Sequence, residues 1–233
     1  MADNLNVLCA GGFRAAMDLI GPAFEKQNAV ALTFTYATPG KTREILESGF
    51  AFDAGVIVAG VLKKAQADGF AQNVTSFKLA IPPVGLGVPA GRDAPDVSSL
   101  KAFRDAVAAL PSIGLSDPKA GTNLGAETLA HADRLGFGAE LRAKARMFEG
   151  PGSFVSAAVA RGEADAVITL ASEIVPIPGI RFAGRLPAEL QTEYAMQALI
   201  PNPATQKAQA LMDFLRSEEA KDMMRRVGLD PQA

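Results

Sequence analysis

Arg14, Thr38, Lys41, Thr122, Asn123 and Ser153, with the glycines Gly11, Gly12 and Gly40, stand where a short apolar run passes through small residues into a helical pattern. Four segments share this form: Val7 to Phe13, Phe34 to Lys41, Ile113 to Asn123, and Met147 to Ser153. A helix start leaves several backbone N–H groups unpaired and carries roughly half a positive charge, so small residues there let an anion approach the backbone. Arg14 and Lys41 supply cations that suit a carboxylate, and Thr38, Thr122, Asn123 and Ser153 supply neutral donors. The chemistry this favours is capture of something small and negative.

Each residue also has a plainer use. Gly11, Gly12 and Gly40 serve equally as turn residues that need a positive φ, Arg14 and Lys41 as solvated charges, and Thr122 and Asn123 as helix caps; Ser153 has the same ambiguity. Gly40-Lys41-Thr42 matches the end of a phosphate-binding loop, but the leading glycine would fall at Thr35, which argues against a nucleotide site. Cys9, the one cysteine, closes a strand beside a helix start and reads as a buried core thiol rather than a nucleophile. His131, the one histidine, lies mid-helix among Leu129, Ala130 and Ala132, a poor setting for a triad or a metal. No cofactor or metal is expected, and no residue stands out as a catalytic base.

The 233 residues carry 48% apolar side chains and a net charge of −2, which argues against both disorder and electrostatic nucleic-acid binding. No run approaches the ~20 apolar residues of a membrane span. A single cysteine excludes an internal disulfide and leaves the redox compartment undetermined. Met1-Ala2-Asp3 leads into the first strand without the basic and apolar regions of a secretory leader. The expected location is therefore cytoplasmic if the chain is natively leaderless, and periplasmic if Met1 stands where a removed leader ended.

The elements that position these turns alternate between strand and helix. Strands are expected at Leu5 to Ala10, Val30 to Ala37 and Gly55 to Ala59, with helices at Arg14 to Gln27 and Lys41 to Ser48; Ala15, Met17, Leu19, Ile20 and Phe24 form the apolar stripe of the first helix. Phe77 to Val88 is extended, and its Pro82-Pro83 pair favours a crossover over a central strand. A second block follows, with helices at Ser98 to Leu110, Asn123 to Leu135 and Phe154 to Arg161 and strands at Ile113 to Leu115, Ala145 to Phe148 and Ala166 to Thr169. Tyr194 to Ile200 is a second extended run, before a single final helix from Thr205 to Val227. The pattern predicts two α/β lobes, residues 1–80 plus 196–233 and an inserted 81–195, with a ligand cleft between them.

Asn6 to Phe13, Ala37-Thr38-Pro39-Gly40, Leu46 to Val56, Ser116-Asp117-Pro118 and the closing Phe214 to Ala220 with Val227-Gly228-Leu229 resemble the periplasmic molybdate-binding proteins, solute-binding components of ABC transporters. The resemblance implies a type 2 periplasmic-binding fold, each lobe a mostly parallel sheet flanked by helices, joined by two extended crossovers. It also implies an oxyanion held by hydroxyls and amides of these turns and by a tyrosine. At those positions this chain carries Gly12 and Pro39 in place of serines and Leu170 near the tyrosine, which argues against molybdate or tungstate.

A small organic carboxylate is therefore the expected ligand, captured by hinge closure for an ABC-type importer. The competing reading is an isomerase of small polycarboxylates on the same fold, similar to aconitate isomerase. A cytosolic ligand sensor is a third, without an attached DNA-binding segment. The expected partners are the anion and an ABC permease, with no nucleic acid, no membrane span and a monomeric state.

Overall fold

A computed structural model of the chain describes residues 3–49 and 51–232, with the side chain of residue 3 left out; Met1, Ala2 and the Phe50 quoted in the resemblance lie outside the described residues. The chain opens with β1 (Asp3–Ala10), α1 (Arg14–Asn28), β2 (Val30–Ala37), α2 (Pro39–Glu47), β3 (Ala54–Val58), α3 (Ala59–Ala67) and β4 (Val74–Ile81). It continues with β5 (Val84–Pro89), α4 (Leu100–Ala109), β6 (Ile113–Ser116), α5 (Leu124–Arg134), α6 (Gly138–Lys144), β7 (Ala145–Phe148), α7 (Gly152–Ala160), β8 (Ala166–Leu170) and β9 (Ile180–Arg185). It closes with β10 (Met196–Pro201), α8 (Gln206–Leu215), α9 (Glu218–Arg226) and β11 (Asp230–Pro231). Two compact units result, Met1–Pro82 with Tyr194–Ala233, and Pro83–Glu193.

In the first unit the strand order is β11-β4-β10-β3-β1-β2. β1 runs parallel to β2 and β3, because α1 and α2 carry the chain back between them, whereas β10 lies antiparallel to β3 and β4. The second unit has the order β7-β6-β8-β5-β9, parallel between β6 and its neighbours β7 and β8 and antiparallel around β5. The expected two-unit α/β class is thus present; each sheet is mixed, since β10 and β11 in the first and β5 in the second run against the other strands.

The extended stretch expected as a crossover is the clearest correction. It forms two strands in different sheets, and β5 is interior, between β8 and β9. Pro82 and Pro83 cost nothing because they fall between the strands, where no ladder N–H is required; the ladder restarts at Val84, whose N–H donates to Gln191 Oε1 at 2.9 Å. Likewise Tyr194 to Ile200 contributes a paired strand, β10.

Of the stripe expected on α1, Met17, Ile20 and Phe24 are buried, Ala15 is half-buried and Leu19 is 40% exposed; Ala16 and Gly21 complete the buried face. Gly21 lets the helix close on β2: a Cβ there would stand 3.3 Å from the Phe34 ring. Leu8, Ile57, Leu62 and Leu199 pack one core cluster of the first unit, and Val155, Val159, Val167 and Ile174 one of the second.

The single C-terminal helix is in fact two. Ser217 adopts extended dihedrals and its Oγ accepts the Ala220 N–H at 3.2 Å, a cap that ends α8 and starts α9. We expect Ser217→Ala to cost about 1 kcal/mol, read as a lowered urea midpoint with an unchanged m-value. No helix among the described residues is long and apolar enough to cross a membrane.

Candidate functional site

In the first unit the parallel pairing brings three helix starts to one sheet edge. Ala10 lies beside Ala37 and Cys9 beside Val56, so β3, β1 and β2 end together, and Gly11, Thr38 and Ala59 are the next residues. A 3-10 turn, Gly11–Phe13, leads into α1. A Cβ at Gly11 or Gly60 would meet nothing within 4 Å, and Gly40 is exposed in the first turn of α2. Among the described residues Gly11, Gly12 and Gly40 do not take a positive φ. Their backbones do not demand glycine, then; what glycine leaves at Gly11 is open backbone.

Arg14 sits on the first turn of α1 with 63% of its side chain exposed, its Nε 3.9 Å from Asp18 Oδ2 and its guanidinium 4.7 Å from the centre of the Tyr36 ring. Tyr36 in turn stacks on Phe34, and its hydroxyl donates to Asp18 Oδ1 at 3.4 Å. The guanidinium therefore has a fixed aromatic platform and an open face. Burial, followed by the neighbouring Cys9 and the Asp18 carboxylate, pushes the Tyr36 phenol far above its usual range, while Arg14 opposes the shift.

Lys41 is 62% exposed and its Nζ lies 2.7 Å from Glu44 Oε2. Such a pair on the surface is worth little and is easily traded for another carboxylate. The Thr38 hydroxyl is committed to capping α2, accepting the Lys41 N–H at 3.4 Å. Pro39, at the first position of α2, has no N–H to offer.

Cys9 is the buried core thiol the sequence suggested. It is 0% exposed, donates to the Ala10 carbonyl at 3.5 Å, and burial raises its thiol far above the thiolate range, with Asp18 adding to the shift. Ellman's reagent should leave the native chain unmodified over minutes and titrate one thiol once it is unfolded in guanidinium.

The second unit repeats the arrangement at the ends of β6, β7 and β8. Thr122 and Asn123 lead into α5; Asn123 holds the cap position, but its side chain makes no capping bond. Ser153 is the second residue of α7, and here the end is already occupied. The backbone N–H groups of Gly152 and Ser153 donate to the Glu173 carboxyl, and Thr169 Oγ1 donates to Glu173 Oε2 at 2.8 Å. Glu173 is only 7% exposed; burial raises its carboxyl above the usual range against the pull of Thr169 and the two amides.

The structure thus gathers Gly11, Gly12, Arg14, Thr38, Gly40 and Lys41 at one sheet edge of the first unit, and Thr122, Asn123 and Ser153 at strand ends of the second. Three participants escaped the sequence reading. Val58-Ala59-Gly60 repeats the strand, small residue, helix form and was legible in principle. Tyr36 carried no signal until its neighbours were known. Glu173 carried a faint one, a lone acid inside the apolar run Ala166 to Val175.

A family model described as bacterial extracellular solute-binding protein matches residues 5–230. An aconitate isomerase of a Pseudomonas species is 29% identical over 234 residues, 97% of this chain and 87% of that protein. Among solved structures, the periplasmic molybdate-binding protein of Azotobacter vinelandii aligns with a TM-score of 0.75 at 18% identity, covering 98% of this chain and 100% of the other. Peb3 of Campylobacter jejuni, also solved with L-phospholactate bound, aligns with a TM-score of 0.72 at 17% identity over 98% and 100%. These likenesses show the same two-lobed fold.

Proposed function

Because the chain belongs to the bacterial extracellular solute-binding proteins, we propose that it captures a small organic carboxylate and, closing on it about its hinge, hands it to an ABC-type importer from the periplasm. One observation carries the choice of ligand: two exposed cations, Arg14 and Lys41, stand on the first turns of α1 and α2, at the ends of the adjacent strands β1 and β2. The guanidinium offers paired donors to a carboxylate and the ammonium a mobile charge. Gly12 and Pro39, where the resembling molybdate binders place hydroxyls, remove donors a tetrahedral oxyanion would use. The phospholactate complex of Peb3 supports an organic acid as cargo on this fold.

A thermal-shift panel of molybdate, tungstate, sulfate and mono-, di- and tricarboxylates tests the reading. A carboxylate present at 100 times its dissociation constant should add about 2.7 kcal/mol to stability; strong stabilisation by molybdate alone would contradict it.

The Pseudomonas relative favours a second reading, an isomerase of small polycarboxylates. The same cations would then hold the substrate's carboxylates while a base moved a proton. Incubation with cis- and trans-aconitate, followed by NMR, decides: interconversion supports the enzyme, and its absence at high protein concentration removes that activity.

A further inference from the structure

Of the helix starts at strand ends, the one at α7 differs in being filled from within. The turn Ala171–Glu173, which follows β8, places the acid: Ala171 N–H donates to the Pro83 carbonyl at 2.8 Å and Ile174 N–H to the Ala171 carbonyl at 3.0 Å. From that anchored turn the Glu173 carboxyl meets the amides of Gly152 and Ser153 and the Thr169 hydroxyl, three donors arranged as an anion would require. Gly152 is the residue that allows it, since a Cβ there would stand 1.9 Å from Thr169 Oγ1 and 2.2 Å from Glu173 Oε2. In the same unit Val155, Val159, Val167 and Ile174 are fully buried in one core cluster. The contrast with Gly11 and Gly60, which face open space, is complete.

We propose that Glu173 is a specificity-determining residue: its carboxyl is the resident ligand of the α7 start and keeps the negative groups of the solute off that end. This deepens the reading of the chain as an anion-capturing protein and rests on it for its consequence, a cargo whose charges are met elsewhere. A second carboxylate or oxyanion at α7 would need the same three donors and would meet a carboxyl already holding them. Ser153 then contributes its backbone to the resident group rather than to the cargo.

The test compares the melting of the wild-type chain, Glu173→Ala and Glu173→Gln in sodium formate and sodium acetate against sodium chloride of equal ionic strength. Glu173→Ala should melt lower than wild type and regain several degrees, saturably, in formate, because formate can take the vacated donors. Glu173→Gln, which keeps an oxygen on those donors, and the wild type should show only the smaller gain, common to all three chains, that formate gives at Arg14 and Lys41. No formate-specific gain by Glu173→Ala, or an equal gain by the wild type, would overturn the proposal.

Should Glu173→Ala not fold, amide resonances decide. The Gly152 and Ser153 protons should move upfield in Glu173→Gln and stay unmoved when formate is added to the wild type; a formate-dependent shift of those two amides in the wild type would equally overturn it. Failure of the wild type to bind any carboxylate in the ligand panel would refute the transport reading instead and leave these outcomes unchanged.

Discussion

Gly125→Ala should lower the melting temperature of the chain by roughly 6–12 °C, corresponding to about 3 kcal/mol. Gly125 is buried in the first turn of α5, and a Cβ there would lie 2.2 Å from the Ser116 carbonyl oxygen and 3.4 Å from Leu115 Cβ. That oxygen belongs to β6, held between β7 and β8, so it cannot rotate away as a side chain would. Relief requires α5 to retreat from the sheet, which opens the packing around Leu124 and Thr128 on the same helix face. Gly60→Ala is the matched control: its Cβ meets nothing within 4 Å in α3, and its melting should stay within about 1 kcal/mol of the wild type. Differential scanning calorimetry distinguishes them, and equal melting of the two variants would show that α5 sits less tightly on β6 than described.

Arg14→Ala should weaken carboxylate binding about 10- to 100-fold, the value of a hydrogen-bonded charged group, while barely changing the stability of the unliganded chain. The guanidinium is 63% exposed, and its ion pair with Asp18 spans 3.9 Å, so its structural contribution is small. In the proposed site its contribution to binding would come from being held over Tyr36, which removes rotamer freedom before any ligand arrives. Lys41→Ala should cost less, about 3- to 10-fold, because the flexible ammonium must leave Glu44 and be ordered on binding. Tyr36→Leu should approach the Arg14→Ala loss without removing any charge, since the platform would be gone. Isothermal calorimetry measures all three, and binding within twofold of the wild type for Arg14→Ala would place the carboxylate elsewhere.

Much of this arrangement was legible in the residues themselves. Val30 to Ala37 was read with its true bounds because a β-branched and aromatic-rich run ended before the turn signal Thr38-Pro39-Gly40, and Ala145 to Phe148 because it stops before Gly150-Pro151-Gly152. The helices expected from Lys41 and Ser98 are present, each starting within two residues of its expected place behind a cap, Thr38 and Ser99, that the sequence reading did not name as such. The Pro82-Pro83 pair marked the passage from one unit to the other, but it hid the strands on either side, because it forbids ladder bonds at two positions only. Ser217 was hidden inside a continuous helical pattern, where its capping geometry competes with propagation of the helix. The contacts that give the site its character, Arg14 over Tyr36 and Glu173 on the amides of Gly152 and Ser153, join residues 20 to 22 positions apart and depend on strand register rather than on local pattern.

The most direct test of the central claim is a calorimetric titration of the wild-type chain with tricarballylate, a non-isomerisable tricarboxylate, and in parallel with molybdate. The carboxylate should bind saturably and one-to-one, at least tenfold more weakly to Arg14→Ala, with no competing heat from molybdate. Tight molybdate binding that Arg14→Ala leaves intact, with no heat from the carboxylate, would contradict it.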